Sequence, residues 1–423
     1  MKENKRAVWS WAFYDWGNSA YSTTVMAGFF PLFFKEYWAD PHNPNQSTFY
    51  LGMANSIASI VVASLAPLLG SIADQGSAKK KFLIFFAFLG VIMTGGLWMV
   101  SQGNWQMAVL FYVIATIGFA SGNVFYDSLL PGLASDERVD IVSSLGFGLG
   151  YLGGGLLFLV NVFMYLKPEI FCISDGATAI KLSFLSVAVW WAVFTIPLIL
   201  FVPEPKNYDP VNIKNAIQMG WIQLIQTFDE IRNMKVVGTF LLAYFFYIDG
   251  VDTIIKMAVD YGMSLNFSGE SLIIALLIVQ FVAFPAALIY GQLASKVGIK
   301  TAIMIGIIAY SFITFLGYFI TKAWHFYVLA ILIGLFQGGI QALSRSLYTR
   351  IIPVEKSAEF FGFYNMLGKF AAIIGPALMG TISLVTGSAR LGILSILLLF
   401  ILGAFFLNKV DLDEGKRLAA DGL

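Results

Sequence analysis

Apolar residues in this chain come in long blocks, separated by short polar connections. They neither alternate with a period of two nor form narrow stripes between charged faces. A helix crosses the hydrocarbon core of a bilayer in about 20 predominantly apolar residues. Twelve segments meet that length: 9–37, 48–73, 82–101, 105–134, 141–166, 179–202, 236–262, 270–295, 301–321, 325–352, 358–385 and 389–408. Several exceed the minimum, which predicts tilt or extension into the interface. The expected fold is therefore an all-α polytopic membrane protein with twelve transmembrane helices. The longest polar break runs from Glu204 to Lys235. Inside it Ile217, Trp221, Leu224, Ile225, Phe228 and Ile231 recur at helical spacing, with Gln218, Gln223, Asp229 and Arg232 largely elsewhere. This pattern predicts an amphipathic helix on the membrane surface. It divides the chain into a first six-helix half (1–203), a linker (204–235) and a second six-helix half (236–423).

Composition agrees. The 423 residues are 58% hydrophobic and 12% charged, against about 25% charged in soluble domains. A net charge of +1 gives no bulk field for nucleic acid. One cysteine excludes an internal disulfide framework, and two distant histidines argue against a metal site. No cofactor is expected. The basic start MKENKRAVW has no cleavable signal pattern, and the first apolar segment is too long for a signal core. Loop charge sets the orientation. One set of loops holds Lys79, Lys80, Lys81, Lys296, Lys300 and Arg350 among many basic residues, whereas the other holds only Lys35, Lys167, Lys181, Lys322 and Arg390. Both termini are thus expected in the cytoplasm, and the even span count requires them on one side. The bacterial inner membrane is the expected location, with a monomer as the expected state.

The apolar blocks contain charges. A carboxylate within a membrane helix costs about 2.5–3.5 kcal/mol on insertion scales, so it usually faces protein or water. The first span carries Asp15, with Tyr14, Asn18, Tyr21 and Ser22 on the same side of the helical wheel. Span four carries Thr116, Asn123 and Asp127 on one face. Span seven carries Asp249, Asp252, Lys256 and Asp260 within a narrow arc, and span ten a stripe of Gly334, Gly338, Gln341 and Arg345. Span eleven adds Asn365 and Lys369. Asp15, Asp127, Asp249 and Asp252 stand against Lys256, Arg345 and Lys369, the near-balance that pairing in a low-dielectric interior requires. Each has a plainer alternative. Asp15 lies near the start of its helix, where a carboxylate complements the dipole. Asp127 and Arg345 suit a gate or brace as well as a substrate contact. Asp252 and Lys256 are spaced to satisfy each other, which leaves Asp249 as the freer acid. Glycines from Gly146 to Gly155 lack a phosphate-loop ending and suit close helix packing.

The halves echo each other. Gly70-x-x-x-Asp74 followed by Lys79, Lys80 and Lys81 closes the second span, and Gly291-x-x-x-Ser295-Lys296 followed by Lys300 closes the eighth. Such weak repeats mark several transporter folds. The segment GSIADQGSAKKK resembles the loop motif of the major facilitator superfamily, with Gly70, Asp74, Gly76 and the lysines in the motif's roles. Gly76 comes one place early, and lysine replaces arginine in the basic cluster. The segments WAFYDWGNSAYSTTV, SRSLYTRIIP and EFFGFYNMLGKFAAIIGP resemble the vacuole-effluxer-like family, bacterial relatives of an autophagy-related fungal vacuolar permease. The resemblance spans nearly the whole chain. It implies a twelve-span rocker-switch transporter whose first, fourth, seventh and tenth spans line a central path. It also implies that Asp74 and the lysines form a brace that breaks and remakes as the halves rock. The fungal relative is associated with amino-acid efflux.

The expected function is secondary transport of a small polar solute by alternating access, without ATP, since no nucleotide-binding motif is present. A cavity holding both signs and aromatic rings suits amino acids or short peptides, and an intramembrane aspartate suits proton coupling. The substrate or proton path is expected to draw on Asp249, Asp252, Lys256, Asp15, Tyr14, Asn18, Tyr21, Asn123, Asp127, Gln341, Arg345, Asn365 and Lys369. Efflux of amphipathic or xenobiotic compounds is the alternative within transport, and a non-transporting receptor or scaffold the alternative outside it. An intramembrane enzyme would need a nucleophile–base pair or metal cluster that the spans lack.

Overall fold

A computed structural model describes residues 4–39, 44–75, 77–204, 234–265 and 267–420. The segment expected to form the amphipathic linker helix, and Gly76, lie outside the described residues. Helix dominates, as it must where lipid offers the backbone no hydrogen-bond partners.

Eleven helices among the described residues are long and apolar enough to cross a membrane. The segment that precedes them makes twelve. It is α1 (Lys5–Ala20), continued by π-helical turns at Tyr21–Phe29 and Phe34–Trp38 with one α turn between them. The rest of the first half is α2 (Pro44–Gln75), α3 (Lys79–Gly96), α4 (Trp105–Ser128), α5 (Val139–Leu166) and α6 (Gly176–Phe201). The second half is α7 (Lys235–Ser264), α8 (Gly269–Val297), α9 (Ile299–Tyr318), α10 (Ala323–Ile351), α11 (Ser357–Thr386) and α12 (Ala389–Ser395 with Leu397–Asn408). A short α13 (Leu412–Ala420) follows.

Local chemistry sets several boundaries. Asn4, Asn104, Asp175, Ser268 and Ser388 cap α1, α4, α6, α8 and α12, their side-chain oxygens accepting from first-turn N–H groups. Hydrogen bonds to these N–H groups hold the Asp175 carboxyl below its ordinary range. Gly298 alone separates α8 from α9, and its φ of 86° is one that glycine adopts without strain. Glu204, just past α6, accepts the Lys80 N–H at the start of α3, and the Lys80 ammonium donates to the Val202 carbonyl at 2.7 Å. Burial pushes the Glu204 carboxyl up, against the pull of Lys80 and Lys81.

Two apolar clusters form the core, one mostly in each half, with Val62, Ala66, Ala120 and Val124 of the first half joining the second-half cluster. The halves meet along two seams, α2 on α11 and α5 on α8, with further contact of α5 on α10 and α4 on α11. The echoed glycines lie on the seams. A Cβ at Gly70 would strike the Ala358 carbonyl of α11, and one at Gly291 would come within 2.6 Å of the Ser144 hydroxyl of α5. Small residues at these points let helix backbones approach closely. The start of α1 and α13 lie at the same end of the bundle, where Gly415 packs against Ile351 and Val236. We call this the termini end.

Candidate functional site

A cavity of about 190 Å³ lies between the halves. The first half supplies Asp15 from α1, Asn123, Tyr126 and Asp127 from α4, and Phe147 from α5. The second supplies Tyr244, Ile248 and Asp252 from α7, Gln341 and Arg345 from α10, and Tyr364, Asn365, Gly368 and Lys369 from α11. Eight of the thirteen residues singled out from sequence for the path line this cavity: Asp15, Asn123, Asp127, Asp252, Gln341, Arg345, Asn365 and Lys369.

The other five stand apart from the lining. Along the first span, α1 and the π-helical turn after it, the polar face divides into two stripes. Asp15, Ser19 and Ser22 form one, with the Ser19 hydroxyl donating to Asp15 at 3.1 Å. Tyr14, Asn18 and Tyr21 form the other and turn into the first half. The Asn18 amide donates to Asn123 at 2.7 Å, and Tyr21 shares a 2.8 Å hydrogen bond with Thr116. Tyr14 is fully buried beside the Tyr126 ring. A step of one residue turns a helix by about 100°, enough to send Asp15 to the cavity and Tyr14 to the core. The same geometry separates the acids of α7. Asp252 faces the cavity. Asp249 is completely buried, where it accepts the Gly375 N–H of α11 at 2.9 Å and the Thr253 hydroxyl at 3.3 Å. Its second oxygen has no hydrogen-bond partner. Lys256 is half exposed and lies 4.0 Å from Asp252, a weak pair. The Asp260 side chain lies outside the described residues.

The cavity's polar groups have distinct attachments. The Tyr151 hydroxyl donates to Gln341 at 2.7 Å, bridging α5 and α10. Asn365 donates to the Phe361 carbonyl at 3.0 Å and contacts Asp127 at 3.5 Å. Tyr126 donates to Asp15 at 3.4 Å. Stacked rings of Tyr244 and Tyr364, 4.0 Å apart, line the second-half wall. Lys369 has neither a hydrogen bond nor an ion pair among the described residues.

Toward the termini end three polar clasps join the halves. In the first, Asp74 at the end of α2 accepts the N–H groups of Ala358 and Glu359 at 3.2 and 2.8 Å. It thereby caps α11 from the opposite half, satisfying orphan donors at the positive end of the helix. Lys79 pairs with Asp74 at 2.7 Å and donates to Ser357 at 2.6 Å. Lys80 and Lys81 take no part in this clasp. The second clasp is Arg345, which pairs with Asp127 at 2.9 Å and donates to the Ser143 hydroxyl and carbonyl at 2.9 and 2.8 Å. The third joins Asp140 of α5 to Arg350 at 2.8 Å and to Ser346. Sequence reasoning assigned no site role to Asp140, Ser143, Ser357 or Arg350. The i, i+3 spacing of Asp140 and Ser143 was the available signal. Arg350 was counted only as a loop charge.

Two helical halves, a cavity of both signs between them and polar clasps across one mouth define a membrane transporter of the major facilitator fold. Consistent with this, the chain superposes on the proton:xylose symporter XylE bound to 6-bromo-6-deoxy-D-glucose with a TM-score of 0.73, at 16% identity over 98% of this chain and 97% of that one. Residues 3–420 match the family model described as vacuole effluxer Atg22 like, and the chain belongs to that family. It is 40% identical to the uncharacterized MFS-type transporter YxiO of Bacillus subtilis, over 97% of this chain and 96% of the relative. It is 27% identical to autophagy-related protein 22 of Saccharomyces cerevisiae, over 86% of this chain and 77% of the relative.

Proposed function

We propose that the protein moves a small zwitterionic solute, an amino acid or short peptide, by alternating access, with the proton gradient as the energy source. The observation that carries this reading is the cavity lining. It sets the carboxylates of Asp15 and Asp252 and the ammonium of Lys369, unpaired among the described residues, around one space bordered by Tyr126, Tyr244 and Tyr364. A solute carrying one amine and one carboxylate satisfies both signs, and a buried charge left unsatisfied is costly. Lys369 takes the carboxylate. Asp15 and Asp252 take the amine and the coupling proton, while Asp249 serves the α7–α11 contact. The three clasps form the closed mouth of one state, which parts as the halves rock. The charge of the loops supports a cytoplasmic termini end in a bacterial inner membrane.

The test is uptake of a labelled amino-acid panel into proteoliposomes under imposed pH steps. Saturable flux that follows the gradient, uncoupled in Asp252→Asn or Asp15→Asn, is the expected result. Flux indifferent to the gradient and unchanged in both variants contradicts proton coupling, and no flux of any panel member contradicts the substrate class.

A further inference from the structure

Arg345 belongs to the second half, yet its guanidinium is enclosed by the first. Every hydrogen-bond acceptor it uses there, Asp127 Oδ1, Ser143 Oγ and the Ser143 carbonyl, comes from α4 or α5. Three first-half rings surround the group, Phe147 at 4.4 Å, Trp11 at 4.9 Å and Tyr126 at 5.4 Å from the guanidinium carbon to the ring centroids. The wall is held without Arg345. Trp11 stacks on Tyr126 at 4.3 Å with planes 7° apart, and its indole N–H donates to the Tyr126 carbonyl at 2.9 Å. The first half therefore carries the groups of a receptor for a planar cation: one carboxylate, two neutral acceptors and aromatic faces, with the Ser143 hydroxyl donating to the Ala342 carbonyl of α10 at 2.7 Å in the clasped state. Guanidinium suits such a receptor better than ammonium, because it is planar, weakly hydrated and stacks on rings. Asp127 and Arg345 both line the central cavity, so the receptor opens onto the solute path.

We propose that this receptor is a binding site for the guanidinium group of a transported or regulatory solute, which Arg345 fills in the clasped state and vacates when the halves part. Arg345 leaves with α10, and Asp127 then needs another cation. A solute bearing a guanidinium takes the vacated place and competes with Arg345, so it favours the parted state. A ligand shifts such an equilibrium only by its differential affinity for the two states. Here the differential arises because the site is occupied in one state and open in the other. The inference rests on the alternating-access reading for the withdrawal of Arg345, but the receptor itself can be tested without transport.

The first test is thermal unfolding of the full-length Arg345→Ala protein with guanidinium chloride at sub-denaturing concentrations, against matched sodium chloride. The expected result is a saturable rise in Tm of about 2–4 °C, smaller in the parent protein, where Arg345 competes for the site, and absent in Arg345→Ala/Asp127→Asn. A folded Arg345→Ala protein that is indifferent to guanidinium overturns the proposal. So does an equal rise with methylammonium, which removes the preference for a planar group. The second test retains Arg345, in case that variant fails to fold. Spin labels at Ser135→Cys and Glu355→Cys, both exposed sites at the termini end, in a Cys172→Ser background report the distance across the clasped mouth. Methylguanidinium is expected to lengthen that distance, and an unchanged distance overturns the proposal. Guanidinium binding by a protein that moves no amino acid would sink the substrate reading and leave the receptor standing. Amino-acid flux without guanidinium binding would do the reverse.

Discussion

Lys369 brings a positive charge to the cavity without an internal partner among the described residues. Arg345, on α10, has a carboxylate, two neutral acceptors and three rings. The two cations therefore do different work. Losing Lys369 removes a charge offered to solute, whereas losing Arg345 leaves the buried Asp127 uncompensated. We expect Lys369→Gln to raise KM for a carboxylate-bearing solute about thirtyfold or more, since truncating one side of a hydrogen-bonded charge pair costs about 2–5 kcal/mol. The same variant should leave transport of the decarboxylated amine analogue nearly unchanged, and a matched loss for both solutes in an uptake assay would contradict the role. Asp249 presents the opposite case. Its Gly375 and Thr253 contacts need an acceptor oxygen rather than a charge, so Asp249→Asn should keep uptake while Asp249→Ala weakens the α7–α11 contact and lowers Tm. Loss of uptake in a well-folded Asp249→Asn protein would place the acid in proton transfer. These distinctions were only partly legible in the sequence. Periodicity placed Asp249 and Asp252 in one arc, but a difference of about 60° around the helix decides between seam and cavity. That choice depends on where α11 packs.

At the scale of elements, α11 begins against an acid from the other half. Asp74 satisfies two of its first N–H groups, and Gly70, one turn earlier on α2, lets the Ala358 backbone come close. The pair explains why a glycine and an acid stand four residues apart at the end of this span. A bulky side chain at position 70 cannot coexist with this contact. We expect Gly70→Leu to part the termini end rather than unfold the protein, because the proposed alternating access provides a second packing. A cysteine placed at Ser144, almost fully buried at the α5–α8 seam, should then react with maleimide in Gly70→Leu/Cys172→Ser and stay shielded in Cys172→Ser alone. The helix count and the glycine–acid motif were readable from hydropathy and spacing. The π-helical turns of the first span were not, because hydropathy records how apolar a stretch is and not which carbonyl each N–H reaches. The partner of Asp74 was equally hidden, since backbone N–H groups at a helix start leave no mark in the residue pattern.

At the scale of the whole molecule, the contacts between halves are uneven. Polar clasps gather at the termini end, built from Asp74, Asp127, Asp140, Lys79, Arg345 and Arg350. Breaking one partner of a buried ion pair costs about 3–5 kcal/mol, so the clasped state holds while the pairs stay together, and parting it leaves Asp127 and Asp140 in need of other partners. Near-balance among the span charges anticipated pairing, yet of those seven residues only Asp127 and Arg345 form a clasp pair. It did not foretell the pairs of Asp74 with Lys79 and Asp140 with Arg350, nor that the clasps would cluster on one side, which follows from where α4, α5, α10 and α11 converge. The central claim is that the halves rock, opening one mouth as the other closes. The direct measurement is a pair of spin-label distances in the Cys172→Ser protein, one across the termini end at Ser135→Cys and Glu355→Cys, the other across the opposite end at Glu169→Cys and Lys322→Cys. On introducing Gly70→Leu, rocking of the halves requires a longer distance at the termini end and a shorter one at the opposite end. Two unchanged distances, or two that lengthen together, would contradict it.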